Sequence, residues 1–207
     1  MCRRLNQDQW NEYKPKLVVL DNGGGLARNQ EWVNGLNHCE KIVPEVVVPS
    51  FNLGVAGSWN YFVNTFGKCL ISNDDVIFGE QTFLHFNWSG LASPDAFIIT
   101  NDDRVAGFST FLVNRPGEWM AMGGFDELFN PAYFEDNDCR YRLSLKGAPV
   151  KSIRLKDWKH DNSSTLAAGD ENYKRMHWCL YNRNKAYYIR KWGGAPGHEV
   201  FKKPFNT

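Results

Sequence analysis

Apolar runs that each end in an acidic turn constrain this chain more than any other feature. Residues 17–20 read Leu-Val-Val-Leu and stop at Asp21-Asn22-Gly23-Gly24-Gly25, and residues 69–72 read Cys-Leu-Ile-Ser and stop at Asn73-Asp74-Asp75. A short run without polar alternation is the pattern of a strand covered on both faces, and such strands sit in sheets with helices above and below. Asp, Asn and Gly then mark where the chain turns out of the sheet. Residues 46–48 form another such run, and Trp59, Tyr61, Phe62, Val63 and Phe66 form a near-helical stripe over residues 57–67. Strands alternating with helices predict an α/β domain with a single, mainly parallel central sheet flanked by helices. Ligands of such sheets sit at the carboxyl ends of the strands, where both acidic turns fall.

Further along, residues 96–100, 108–113 and 150–155 read as strands. Residues 5–13, 28–38, 136–145 and 172–192 read as helices, the last stopped by Gly193-Gly194. The Gly- and Pro-containing tail that follows is expected to lie along the surface. No internal repeat or long linker divides the 207 residues, so one domain is expected over residues 1–207.

Composition removes several classes of function. A formal charge of +1 gives no field to recruit nucleic acid as a partner. Residues 170–207 hold eight Lys and Arg against three Asp and Glu, a local excess that fits either a solvated helix face or contact with a phosphate or lipid headgroup. The five cysteines are odd in number and form no Cys-x-x-Cys pair, which suggests neither a zinc knuckle nor a disulfide framework and fits a reducing compartment. The apolar runs are strand-sized, short of the ~20 residues of a membrane helix, and the start of the chain has no signal-peptide core. A cytoplasmic protein, at most peripheral to a membrane, is the expectation.

Two acidic pairs can carry chemistry. Asp74-Asp75 follows a strand directly, where a hard divalent cation can bridge carboxylates to a diphosphate; an Asx turn or a helix cap would use the same residues. Glu135-Asp136 follows Tyr133-Phe134 and opens a helix, a place for a rigid carboxylate base, although acids at a helix start also answer the helix dipole. Eight tryptophans make sugar stacking conceivable, and Trp119, beside Gly123-Gly124, is the candidate for acceptor contact.

The order of these pieces resembles glycosyltransferase family 2, the inverting group with the GT-A nucleotide-diphospho-sugar transferase fold, and within it the rhamnosyltransferase-like branch. The resemblance rests on Val-Val-Leu-Asp21-Asn-Gly-Gly, Asn52-x-Gly54-x-Ala-Gly57-x-x-Asn60, Asn-Asp74-Asp75, the Gly-Gly-Phe-Asp-Glu run of residues 123–127, Glu135-Asp136 with Arg140 and Arg142, and His160-Asp-Asn-Ser-Ser-Thr165. It spans about residues 17–165. It implies that Asp21 accepts a hydrogen bond from the nucleotide base, and that Asn52, Gly54, Asn60 and Gly124 belong to the nucleotide side of the cleft. Asp74 would reach the ribose or the metal shell. Asp75 would ligate Mn²⁺ or Mg²⁺, with His160 as a further cation ligand or a diphosphate contact. Asp136 would be the catalytic base, with Glu135 second. Arg140 and Arg142 would reach phosphate or pair with nearby acids.

On that resemblance residues 1–75 are the nucleotide-binding part, residues 76–169 the acceptor and catalytic part, and residues 170–207 a C-terminal helix and tail. The implied reaction moves a hexose or deoxyhexose from a UDP-, dTDP- or GDP-linked donor to a glycan or lipid-linked acceptor. The sequence departs from the family at its start: members open on an apolar strand with a Pro-Thr-x-Asn-Arg-like turn, and here the residues before the first apolar run read as the helix that follows it. Two rivals stay open. One is a non-catalytic carbohydrate- or nucleotide-binding remnant of a transferase. The other is a sugar nucleotidyltransferase, for which Gly23-Gly24-Gly25 with Arg28 is a faint motif and the Glu135-Asp136 and His160 segments have no use.

Overall fold

The computed structural model describes residues 16–26, 29, 44–78, 82–101, 108–155, 158–160 and 169–207. The helices expected over residues 5–13 and 28–38 lie outside the described residues. The chain is a mixed α/β structure. Its strands are β1 (Val18–Leu20), β2 (Glu45–Val47), β3 (Leu70–Ser72), β4 (Val76–Ile77), β5 (Ile98–Asn101), β6 (Thr110–Val113), β7 (Val150–Ile153) and β8 (Lys159–His160). Its helices are α1 (Gly54–Phe66), α2 (Thr82–Ala92), α3 (Pro116–Ala121), α4 (Glu135–Leu145) and α5 (Glu171–Trp192).

The expectation of a single, mainly parallel sheet is corrected. Among the described residues the largest sheet has four strands in the order β3-β6-β5-β7, with β6 antiparallel to both neighbours and only β5 and β7 parallel. Two further pairs stand apart from it: β1 with β2, parallel, and β4 with β8, antiparallel. Chain length explains the reversal between β5 and β6. Only eight residues join them, too few for the helical crossover that a parallel connection needs. Between β5 and β7 the chain runs through α3 and α4, and that pair is parallel.

The core sits on β5 and β6, whose residues are all buried. Phe125 lies at the centre of a ring cluster, 4.8 Å from Trp59, 4.9 Å from Trp119 and 5.7 Å from Phe111, each contact edge-on. Edge-to-face geometry sets the electropositive rim of one ring against the face of the next, and burying a ring this size contributes about 1.5–3 kcal/mol. The Gly-Gly-Phe-Asp-Glu segment is thereby anchored on α1 and the sheet by its own aromatic side chain.

A second apolar cluster of Phe129, Phe134, Tyr188 and Trp192 joins α5 to the loop before α4. Asp170 caps α5 by accepting the Tyr173 N–H at 2.8 Å. Gly193 ends the helix in the left-handed conformation, φ 75°, with its N–H bonded to Ile189 O at 2.7 Å. The tail folds back over this end: Val200 and Phe201 both donate to Trp192 O at 2.9 Å, and Tyr141 Oη donates to Phe201 O at 2.8 Å. No helix among the described residues is long and apolar enough to cross a membrane. Cys69, Cys139 and Cys179 are free thiols.

Candidate functional site

The turn after β1 is held by its own carboxylate. Asp21 accepts the backbone N–H of Leu26 at 2.8 Å and of Gly23 at 3.2 Å. Burial alone would raise its pKa, but the amides of residues 23–26 outweigh it and hold the carboxyl below its usual range. Asn22, which the sequence did not single out, ties this turn to the start of α1: its Oδ1 accepts Leu53 N–H at 3.1 Å and its Nδ2 donates to Ser58 Oγ at 2.8 Å. Asn52 is exposed and closes its own Asx turn, accepting Gly54 N–H at 2.8 Å.

Gly54 is required by space as well as by its φ of 67°. A Cβ there would lie 2.7 Å from Asn130 Nδ2 and 2.8 Å from Pro131 O. That carbonyl instead accepts Val55 N–H at 2.7 Å. The first turn of α1 is therefore butted against the loop that leads to Glu135 and Asp136.

Asp74 is exposed in the turn after β3, and Asp75 is half-buried behind it. Strand β8 reaches the same turn by pairing His160 with Val76 across β4. This brings His160 Nε2 to 3.1 Å from Asp75 Oδ1. Cis ligands of an octahedral ion with bonds near 2.1 Å stand about 3 Å apart, so the pair fits two positions around Mg²⁺ or Mn²⁺. Among the described residues no group of three or more His, Cys, Asp or Glu is gathered to hold a metal. Two protein ligands suffice for a cation whose remaining positions go to diphosphate oxygens and water.

Asn60 and Gly124 meet each other. Asn60 Nδ2 donates to Phe125 O and to Glu127 Oε1, and its Oδ1 accepts Phe125 N–H, all at 2.8 Å. A Cβ on Gly124, whose φ is 58°, would lie 2.6 Å from that Oδ1. The pair seats residues 124–127 against α1. Trp119, the residue expected to touch an acceptor, has no exposed surface and belongs to the ring cluster; after the Met122-Gly123 turn, Gly124 N–H donates to its carbonyl at 3.2 Å.

Glu135 and Asp136 open α4, preceded by Tyr133 and Phe134 at φ 81° and 74°. Positive φ at consecutive non-glycine residues is strained backbone, of order 1–3 kcal/mol each, and persists only where the surroundings hold it. Here α5 holds it. Asn184 Nδ2 donates to Phe129 O at 2.9 Å and Ala132 O at 2.7 Å, Arg183 donates to Asn130 O, and Tyr133 Oη shares a 3.0 Å hydrogen bond with His177 Nδ1.

The two acids differ in environment. Glu135 is only 6% exposed, and its Oε2 is buried without a hydrogen-bond partner. Burial, and then the charge of Asp136, push its carboxyl up to about 8. Asp136 is half-buried and accepts Asn137 N–H at 2.7 Å. Glu135 thus keeps its proton more tightly than an ordinary glutamate, beside an acid that solvent can reach.

Beneath them Asp138 is fully buried and accepts from Arg142 Nε and Trp192 Nε1 at 2.8 Å each, and from Lys191 Nζ at 2.6 Å. Arg142 also donates to Met122 O at 3.1 Å and Gly124 O at 2.5 Å, so its guanidinium is spent on the fold. A cleft of about 490 Å³ is lined here by Asn60, Asn64, Gly123, Glu127, Arg142 and Lys191 among others. Its cations already face carboxylates, with Lys191 also 2.7 Å from Asp126, and the acids at the strand ends do not line it. Neither the Asp75–His160 pair nor the Glu135-Asp136 pair lines this cleft. No protein-family model matches the chain, and no curated protein matches it.

Proposed function

We propose that this chain is an inverting glycosyltransferase of GT-A type. It moves a hexose or deoxyhexose from a UDP-, dTDP- or GDP-linked donor to a hydroxyl of a glycan or lipid-linked acceptor, in the cytoplasm or at the face of a membrane. The observation that carries the reading is the approach of His160 to Asp75 at 3.1 Å, two residues far apart in the chain meeting in the turn after β3. The order of motifs along residues 17–165 supports it.

In this reading Asp75 and His160 would hold Mn²⁺ or Mg²⁺, with Asp74 at the exposed rim toward the ribose. The cation, when bound, supplies positive charge where the leaving diphosphate becomes negative. Asp21 and its turn, with Asn52 and Gly54, form the nucleotide side, and Asn60 with Gly124 seats the segment beside it. Asp136 takes the proton of the acceptor hydroxyl as that oxygen attacks the anomeric carbon. The bond to the diphosphate breaks on the opposite face, and its electron pair leaves with the nucleotide. Glu135, too buried to meet an acceptor, keeps its proton and fixes the helix start.

Calorimetry with UDP, GDP and dTDP in the presence of manganese should show binding that Asp75→Ala removes. Asp136→Asn should keep that binding and lose at least about a hundredfold in turnover, the range for a missing general base. Undiminished nucleotide affinity in Asp75→Ala would refute the metal assignment, and undiminished turnover in Asp136→Asn the base.

A further inference from the structure

We infer that the acceptor subsite is an aromatic ledge on the outer side of α5, with Trp178 as the platform for a pyranose ring; the inference rests on the transferase reading above. Trp178 is 65% exposed. Its ring lies parallel to Tyr181, 9° between planes and 5.6 Å between centroids. Tyr181 in turn meets Tyr133 at 5.5 Å and Phe134 at 5.2 Å, the two residues immediately before Glu135. On the same helix His177 packs on Tyr173 at 4.5 Å and bonds the Tyr133 phenol at 3.0 Å. A continuous run of rings thus leads from an open indole face to the two residues that precede the acid pair.

Burial, with the Tyr173 phenol and the Glu135 carboxylate nearby, raises the Tyr133 phenol above its usual value, so the run ends close to Glu135 in electrostatic reach as well.

The chemistry favours a sugar over an apolar partner. A pyranose presents a flat patch of C–H bonds to an aromatic face and hydroxyls around its edge, and it needs both kinds of surface at once. The ledge offers a stacked indole and phenol with hydrogen-bonding groups near it along the helix, the Tyr133–His177 pair and exposed Lys174 and Arg175, while the Asn182 amide donates to Trp178 O at 2.9 Å. A lipid surface or a protein partner would ask for a broader apolar face. Those polar residues interrupt the ledge within a turn of Trp178.

The test uses the full chain labelled with fluorotryptophan and read by fluorine NMR, with the Trp178 line assigned by its loss in Trp178→Phe. Methyl glycosides of glucose, galactose, mannose and rhamnose are titrated in turn. At least one should shift the Trp178 line while the Trp119 and Trp192 lines stay still. Calorimetry should show that glycoside bound about tenfold more weakly by Trp178→Ala, with part of the loss restored in Trp178→Phe.

No glycoside shifting the Trp178 line would overturn the ledge, as would shifts confined to Trp88, the exposed tryptophan of α2. Broadening by phosphatidylglycerol vesicles with no response to glycosides would overturn it in favour of a membrane contact. Nucleotide titration separates this from the parent reading. Nucleotide bound equally by wild type and Trp178→Ala, with no glycoside response, removes the ledge alone. Glycoside response in a protein that binds no nucleotide leaves a sugar-binding face and removes its role as an acceptor subsite.

Discussion

Replacing Glu135 by glutamine separates a buried acid from its shape. The wild-type carboxyl loses its proton near pH 8 when folded, against about 4.5 for an ordinary glutamate. Below about pH 4.5 both folded and unfolded chains carry the proton and the group has no effect on stability. Between about pH 4.5 and about pH 8 the unfolded chain has released the proton and the native chain keeps it, so native stability falls as pH rises. At about 1.4 kcal/mol per pH unit, that interval sets a ceiling of about 5 kcal/mol, lowered by any water that reaches Oε2. Glutamine fills the same space and does not titrate. Urea unfolding across this range should show the wild-type midpoint declining with pH, the Glu135→Gln profile flatter, and the gap between them widest at the alkaline end. Parallel profiles would mean that Glu135 ionises freely in the native state, and the assignment of separate roles to Glu135 and Asp136 would fall with it.

Two glycine and amide positions give further checks. Gly54→Ala forces a Cβ to 2.7 Å from Asn130 and keeps a positive φ, and should cost roughly 2 kcal/mol or more; Gly25→Ala, with nothing within 4 Å, should be near neutral in the same denaturation series. Asn60→Ala removes the bonds to Phe125 and Glu127 inside the core and should cost roughly 2–3 kcal/mol, and Asn60→Asp should not rescue it because the amide N–H₂ is the donor to both partners.

What could be read from the chain follows from where local chemistry decides the structure. The runs that became β1 and β3 are apolar and end in turn residues, and the stripe of Trp59, Val63 and Phe66 announces α1. The stop at Gly193 was visible because few residues other than glycine take its φ. Strand direction was misread although its signal was present: β6 looks like any buried strand, and the short link from β5, already evident between the two runs, makes it antiparallel. Helix α2 escaped because its aromatic, His and Gly residues show no clean period, and α3 because it is a single Pro-initiated turn.

At the candidate site, acids at strand and helix ends were legible, since turns and caps are local. The burial of Trp119 was not, because it depends on Phe125 and α4 arriving from elsewhere. The Asp138–Arg142 pair had a signal in its one-turn spacing. Asn184 and His177 had none, because their partners are fixed only once α5 docks.

Residues 129–132 are gripped from two directions, by the first turn of α1 through Val55 and by α5 through Arg183 and Asn184. That double grip makes the segment a crossbar. Tilting either helix would drag Asp136 along with it, so the distance between the β1 turn and Asp136 is set by stiff backbone, and grafting a foreign α5 onto this scaffold would reset both ends together.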